Sequence, residues 1–280
     1  LFARDINQVP QALLGPGNAQ GRRPYPQFTS INGILWDGQS NYNALQLRAA
    51  THASHGLHFI ANYAWSKTLD NATASGSATN VDTYQNSYDP AANYGLSELN
   101  DPYMVNGLAS YELPFGHRRR FINRSGILSQ IVGGWQGSAY FQVHGGIPFT
   151  PSMGTANLSN SLAGAWFPNR VGKGILAHPT VNEWFDTSAF QQPAPYTFGN
   201  SGRNILIGPN WRSVDASLEK TFDLDRLREG SGFQFRVDAF DLPNHPNFGQ
   251  PNASIGTSGA GIISSANTSR NLQFTGRLRF

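Results

Sequence analysis

The architecture this sequence predicts is all-β: an antiparallel, up-and-down β-barrel that crosses a membrane. The chain would supply about seven strands of it, with long loops on one side. Three observations predict this. Short segments alternate apolar and polar residues with a period of two, as a wall between hydrocarbon and a polar interior requires. Only 13% of the 280 residues are charged and 12% are aromatic, whereas soluble domains carry roughly 25% charged residues. The mean hydropathy is nonetheless negative, because Asn, Gln, Ser, Thr and Gly replace the missing charge. Finally, the connections between the alternating segments are unequal in length, and the longest fall at every second one.

Residues 1–40 are rich in Pro, Gly, Asn and Gln and read mostly as loop, with one short strand between Phe28 and Trp36. Strands and their loops fill 41–280. In the first strand, Tyr42–Ala50, Leu45, Leu47 and Ala49 oppose Gln46 and Arg48. A turn at 51–55 leads to a second strand with Leu57, Phe59, Ala61, Tyr63 and Trp65 on one face. Residues 67–103 are polar and long. A third strand, Met104–Leu113, groups Val105, Gly107, Ala109, Tyr111 and Leu113, and ends in a basic connection that holds His117-Arg118-Arg119-Arg120. A fourth, Ile131–Gly145, sets Trp135, Gly137, Ala139, Phe141 and Val143 against Gln136, Ser138, Tyr140, Gln142 and His144.

The stretch 146–210 is dense in Pro, Asn and Gly and carries no period. The fifth strand, Trp211–Phe222, opposes Val214, Ala216 and Leu218 to Ser213, Asp215, Ser217 and Glu219. The sixth, Phe233–Leu242, opposes Phe233, Phe235, Val237 and Ala239 to Gln234, Arg236 and Asp238. A Gly-rich loop precedes the last strand, Asn271–Phe280, in which Leu272, Phe274, Gly276, Leu278 and Phe280 share one side and Gln273, Thr275, Arg277 and Arg279 the other. Arg48, Asp215, Glu219, Arg236, Asp238, Arg277 and Arg279 are therefore expected to face a polar lumen, with opposite charges as cross-strand neighbours. Tyr63, Trp65, Trp135, Tyr140, Trp211 and Phe280 are expected near strand ends, as an interfacial girdle.

Other chemistries find little support. The chain has no Cys and a net charge of +3, too small and dispersed to suggest nucleic acid. His52, His55 and His58 span a turn and two strands, which hinders convergence on a metal. Gly199-Asn200-Ser201-Gly202 lacks nucleophile-elbow spacing, and no glycine loop cradles phosphate. Neither an enzyme nor a bound cofactor is expected. A soluble glycan-binding β-sandwich would keep the alternation but not the one-sided loops.

Several segments in order, SNYNALQLRA (40–49), HGLHFIANYAWSKTLDN (55–71), LASYELPFG (108–116), VGGWQGSAYFQ (132–142), NHPNFGQP (244–251) and the terminal LRF, resemble the barrel of TonB-dependent outer-membrane receptors, in their Oar-like branch. The resemblance implies residence in the outer membrane as the C-terminal portion of a 22-stranded barrel. It also implies energy-coupled uptake through TonB by way of an N-terminal plug absent from these 280 residues. Outer-membrane lipid and the barrel assembly machinery are the other implied partners. In the family's terminal assembly signal, Gln273, Leu278 and Phe280 match, while Thr275 stands where Gly is expected and Gly276 follows it. A final strand ending at the periplasm puts 51–55, 114–130 and 223–231 on that side and 67–103, 146–210 and 245–270 outside. A barrel used for adhesion or surface assembly, without transport, would share all of these features.

Overall fold

The computed structural model describes residues 2–54, 56–72, 84–116, 119–122, 126–162, 164–224 and 228–280. Seven long strands form one antiparallel wall: β1 (Ser40–Ser54), β2 (Leu57–Asp70), β3 (Tyr103–Glu112), β4 (Trp135–His144), β5 (Trp211–Asp223), β6 (Gly232–Phe240) and β7 (Asn271–Arg279). Each pairs with its neighbour in sequence, so the wall is a simple meander with β1 and β7 at its edges. The nine residues of β6 and of β7 already suffice to cross a bilayer core at a tilt. The expected strands are all present, with shifted ends. β1 runs to Ser54, so the turn falls at 55–56 rather than 51–55. β4 starts at Trp135 rather than Ile131, because Ile127–Val132 form a short helix, α1, that no sequence period revealed. β6 stops at Phe240, and Asp241, Leu242 and Pro243 form the turn leaving the sheet.

Residues directly opposite in register share a face, and the register sorts most side chains by polarity, with Ile60 and Leu108 on the polar face and Lys220 on the apolar one as exceptions. One face carries Leu45 and Leu47, Tyr63 and Trp65, Val105, Phe141, Val214 and Leu218, Phe235 and Val237, and Phe274 and Leu278. Phe141 lies across its partner Gly107, where a Cβ would stand 2.6 Å from the ring, so an aromatic side chain fills the place of a missing one. The opposite face is polar. Asn62 donates to Asn106 at 3.0 Å, Gln136 to Ser110 at 2.8 Å, and the hydroxyls of Ser138 and Ser217 are 2.7 Å apart. This ladder satisfies neutral groups across four strands without burying a charge.

No described residue forms a second layer upon the wall's apolar face, which tells against the sandwich alternative. Among the described residues, every fully buried apolar side chain except Ala239 lies in the connections rather than in the seven strands. Leu47, Trp65, Phe274 and Leu278 stand half exposed or more, as a lipid-facing surface would in the absence of lipid.

The connections sort by end. One end of the wall receives 1–39, 71–102, 145–210 and 241–270, more than half of the chain; the other has only 55–56, 113–134 and 224–231. Parity along the meander is therefore as the sequence implied.

Candidate functional site

At the long-connection end the loops pack into one cap. Its apolar centre is Phe185, Ala189, Phe190, Leu206 and Ile255, with Phe149, Met153, Trp184 and Ile205 against it. The Phe185 and Phe190 rings meet edge-on at 6.0 Å. Two-residue strand pairs tie distant segments together: Pro148–Phe149 with Leu206–Ile207 closes the 145–210 connection on itself, and Ser152–Met153 in parallel with Ser254–Ile255 joins it to 241–270.

Buried side-chain amides bonded to backbone cross-link the cap. Gln8 donates to the Gln85 carbonyl at 2.7 Å and accepts from the Ser87 amide at 2.6 Å. Gln85 donates to the Gly199 carbonyl at 2.9 Å, and its oxygen accepts from the amides of Phe167 at 2.9 Å and Gly199 at 3.1 Å. Two glutamines thus join three connections. Asn160 reaches back to the carbonyls of Gly15 and Gly17. A buried neutral amide costs little once each donor and acceptor is matched, whereas an unmatched one costs about 1–3 kcal/mol. Tyr88 donates to the Gln8 carbonyl at 2.7 Å; burial, and then the Asp5 carboxylate, raise its pKa and keep it a donor.

Buried charge enters the cap at two places: Arg23 donates to the Asn7 carbonyl at 2.7 Å and pairs with Asp5 at 3.4 Å, and a second pair forms a latch. Arg203, buried in the 145–210 connection, donates through Nε to the Asn93 carbonyl at 3.1 Å and through Nη1 to Ala72 at 3.3 Å. Its Nη2 donates to the Asp70 carbonyl at 2.8 Å and pairs with the Asp70 carboxylate. Asp70 is the last residue of β2, so the guanidinium fastens the largest connection to the rim of the wall.

Below the cap, the charged residues expected to line the polar side do share one face. From Arg48 on β1 the register runs through Asn62, Asn106 and Gln142 to Ser213, and so reaches the side of Asp215 and Glu219. It continues to Arg236 and Asp238 on β6 and to Arg277 and Arg279 on β7. Glu219 stands directly opposite Arg236. The closest ion pair is instead within β6, where Arg236 bonds Asp238 at 2.7 Å, while Glu219 accepts from Gln234. Arg277 faces Gln234, and Arg279 faces Gly232 at the far end. No three potential metal-ligating side chains converge among the described residues; His55 and the side chain of His52 lie outside them.

The girdle needs correction. Trp65 and Tyr63 are on the apolar face, Trp65 opposite Tyr103 at the cap end. Trp135 marks the other end. Tyr140 and Trp211, however, point to the polar face, Tyr140 opposite Asp215 in mid-strand and Trp211 stacked on His144 at 5.2 Å. Period-two parity already excluded both from the lipid side, and proximity to a strand end misled. Tyr103, Tyr111, Phe222 and Phe233 take their places, the last two stacked at 6.2 Å. Of the terminal signal, Gln273 faces Asp238 on the polar side, Gly276 and Leu278 lie on the apolar side, and Phe280 follows the last paired residue.

A one-layer antiparallel meander with an uncovered apolar face, a polar face and all long connections at one end is the geometry of an outer-membrane wall. A family model described as an outer membrane beta barrel domain matches residues 1–273. The chain belongs to this family. A search of curated proteins found no match. Membership of an outer-membrane barrel family accounts for the inverted burial: an apolar face turned to lipid needs no protein layer, and among the described residues the apolar core lies in the cap. The protein is localised to the outer membrane.

Proposed function

We propose that the chain is part of the wall and cap of a TonB-dependent importer of the Oar-like branch, taking up a ligand from outside the cell. The carrying observation is the cap. Four long connections pack as one body over the end of a wall whose inner face is polar and charged, which is where an importer meets and gates its ligand. In this reading Arg48, Asp215, Glu219, Arg236, Asp238, Arg277 and Arg279 line the lumen. No residue acts as a catalyst, no cofactor or nucleic acid is needed, and TonB supplies energy through a plug encoded elsewhere in the full protein. The terminal strand, with Phe280, is the contact for the barrel assembly machinery. A second reading, a surface-assembly or adhesion barrel without transport, draws on the tightness of the amide interlock, which suits a fixed external structure.

Loss of one class of solutes from the medium separates the two readings. Cells carrying or lacking the full-length protein, in TonB-competent and TonB-deficient backgrounds, are compared by mass spectrometry of spent medium. Importer function predicts a compound consumed only when both protein and TonB are present. No such compound, together with lost cell-surface attachment on deletion, would leave the adhesion reading standing.

Sidedness has its own test, eased because these 280 residues contain no Cys. Leu99 and Ile175 are exposed in the cap, at 69% and 70%. Cysteines there are expected to react with an impermeant maleimide on intact cells, and one at Arg119 only after the outer membrane is breached. Ser161 would be a poor probe because it is fully buried, and Ser77 lies outside the described residues. Labelling at Arg119 alone would invert the topology.

A further inference from the structure

The short-connection end carries one folded lobe, between β3 and β4, that neither strand pairing nor the cap explains. Its first part is a tight loop: the Phe121 amide donates to the Pro114 carbonyl at 2.9 Å and the Gly116 amide to the Phe121 carbonyl at 3.0 Å. Its second part is α1. The two parts touch backbone to backbone, since a Cβ on Gly116 would fall 2.7 Å from Gly133 Cα, and Gly116 has a φ of +106°. Side chains from the apolar face hold the helix end in place. Trp135 Nε1 donates to the Ile131 carbonyl at 3.0 Å, and Lys220 Nζ donates to the carbonyls of Gln130 and Gly133. A lysine on the lipid side of a wall is costly at mid-bilayer. Here it turns toward the negative end of a helix and lies near the rings of Trp135 and Phe222. α1 is thereby seated at the rim of the lipid-facing surface, at headgroup depth.

We propose that this lobe docks on anionic phospholipid headgroups of the leaflet at that end of the wall. The charge fits: the side chains of Arg119 and Arg120 in this loop are exposed. Arg120 lies over the Phe121 ring at 5.4 Å, and Arg119 pairs with Glu112 at 2.8 Å in an exposed bridge that a phosphate can replace. The apolar fit is in the same lobe, where Phe121, Ile122 and Ile131 are exposed. Basic and apolar side chains presented together at a membrane rim bind an anionic interface through both attractions.

The test uses the protein folded into vesicles, with Ile131→Cys labelled by bimane and quenched by brominated lipid. Brominated phosphatidylglycerol is expected to quench more than brominated phosphatidylcholine at equal mole fraction. Each of the two arginines is expected to contribute on the order of fivefold to local enrichment, the usual attraction of one basic side chain to an anionic surface. Arg119→Gln with Arg120→Gln should remove the preference, and raising salt should do the same to the unsubstituted loop, which covers the case of a variant that folds poorly. Equal quenching by the two lipids, or a preference indifferent to both salt and substitution, overturns the proposal. Phe274→Cys, mid-wall, serves as the reference. It should be quenched by both lipids alike, and silence there would overturn the bilayer-spanning wall along with the docking.

Discussion

Replacing Phe274 with arginine is expected to destabilise the wall in a bilayer by about 2–4 kcal/mol, the usual cost of a cation on the lipid face near the midplane. The same change one residue earlier, Gln273→Arg, is expected to be near neutral or mildly favourable. Phe274 is 66% exposed on the apolar face, opposite Val237. Gln273 shares the polar face with Asp238, its direct partner, so a guanidinium there gains a carboxylate rather than losing its hydration. Urea titration of the protein folded into lipid vesicles measures both. Equal costs at the two positions would show that the faces are not divided between lipid and water.

Arg203→Ala is expected to unfasten the cap and leave the wall standing. The guanidinium serves three carbonyls and the Asp70 carboxylate in a buried site. Removing one partner of a buried pair costs about 3–5 kcal/mol, chiefly because the other charge is left stranded. Protease cleavage within 84–102 and faster amide exchange around Asn93 and Asn204 are the expected readouts, with the folded barrel still resistant in the membrane. Arg203→Lys should rescue little, since one ammonium cannot reach sites arranged for a planar fork. A cap as protected in the alanine variant as in the parent would show that Arg203 is not its latch.

The wall was legible because its side chains obey a two-residue period that a single sequence displays. Leu45 and Leu47, Phe233 and Phe235, and Leu272 and Phe274 announce their faces before any partner is known. The cap was not legible, for a physical reason. Its fixed points, Gln8, Gln85, Asn160 and Arg203, hold backbone groups far away along the chain, and a side chain bonded to a distant carbonyl leaves no local pattern. Asn/Gln/Ser-rich segments therefore read as plain loop although Gln8 and Ser161 are wholly buried. α1 escaped notice because six residues make too few turns to show a helical period. Tyr140 and Trp211 were misplaced because nearness to a strand end was allowed to outweigh parity.

The pairing pattern also dictates an order of events in time. Each wall strand meets only its sequence neighbours, so the sheet can grow one hairpin at a time with short closures. The cap cannot grow this way. Asn160 waits for carbonyls 145 residues upstream, and Arg203 for an aspartate 133 residues away, and both partners are in place only when the strands that carry their loops already stand side by side. The cap is therefore expected to lock together last, with the finished wall as its template.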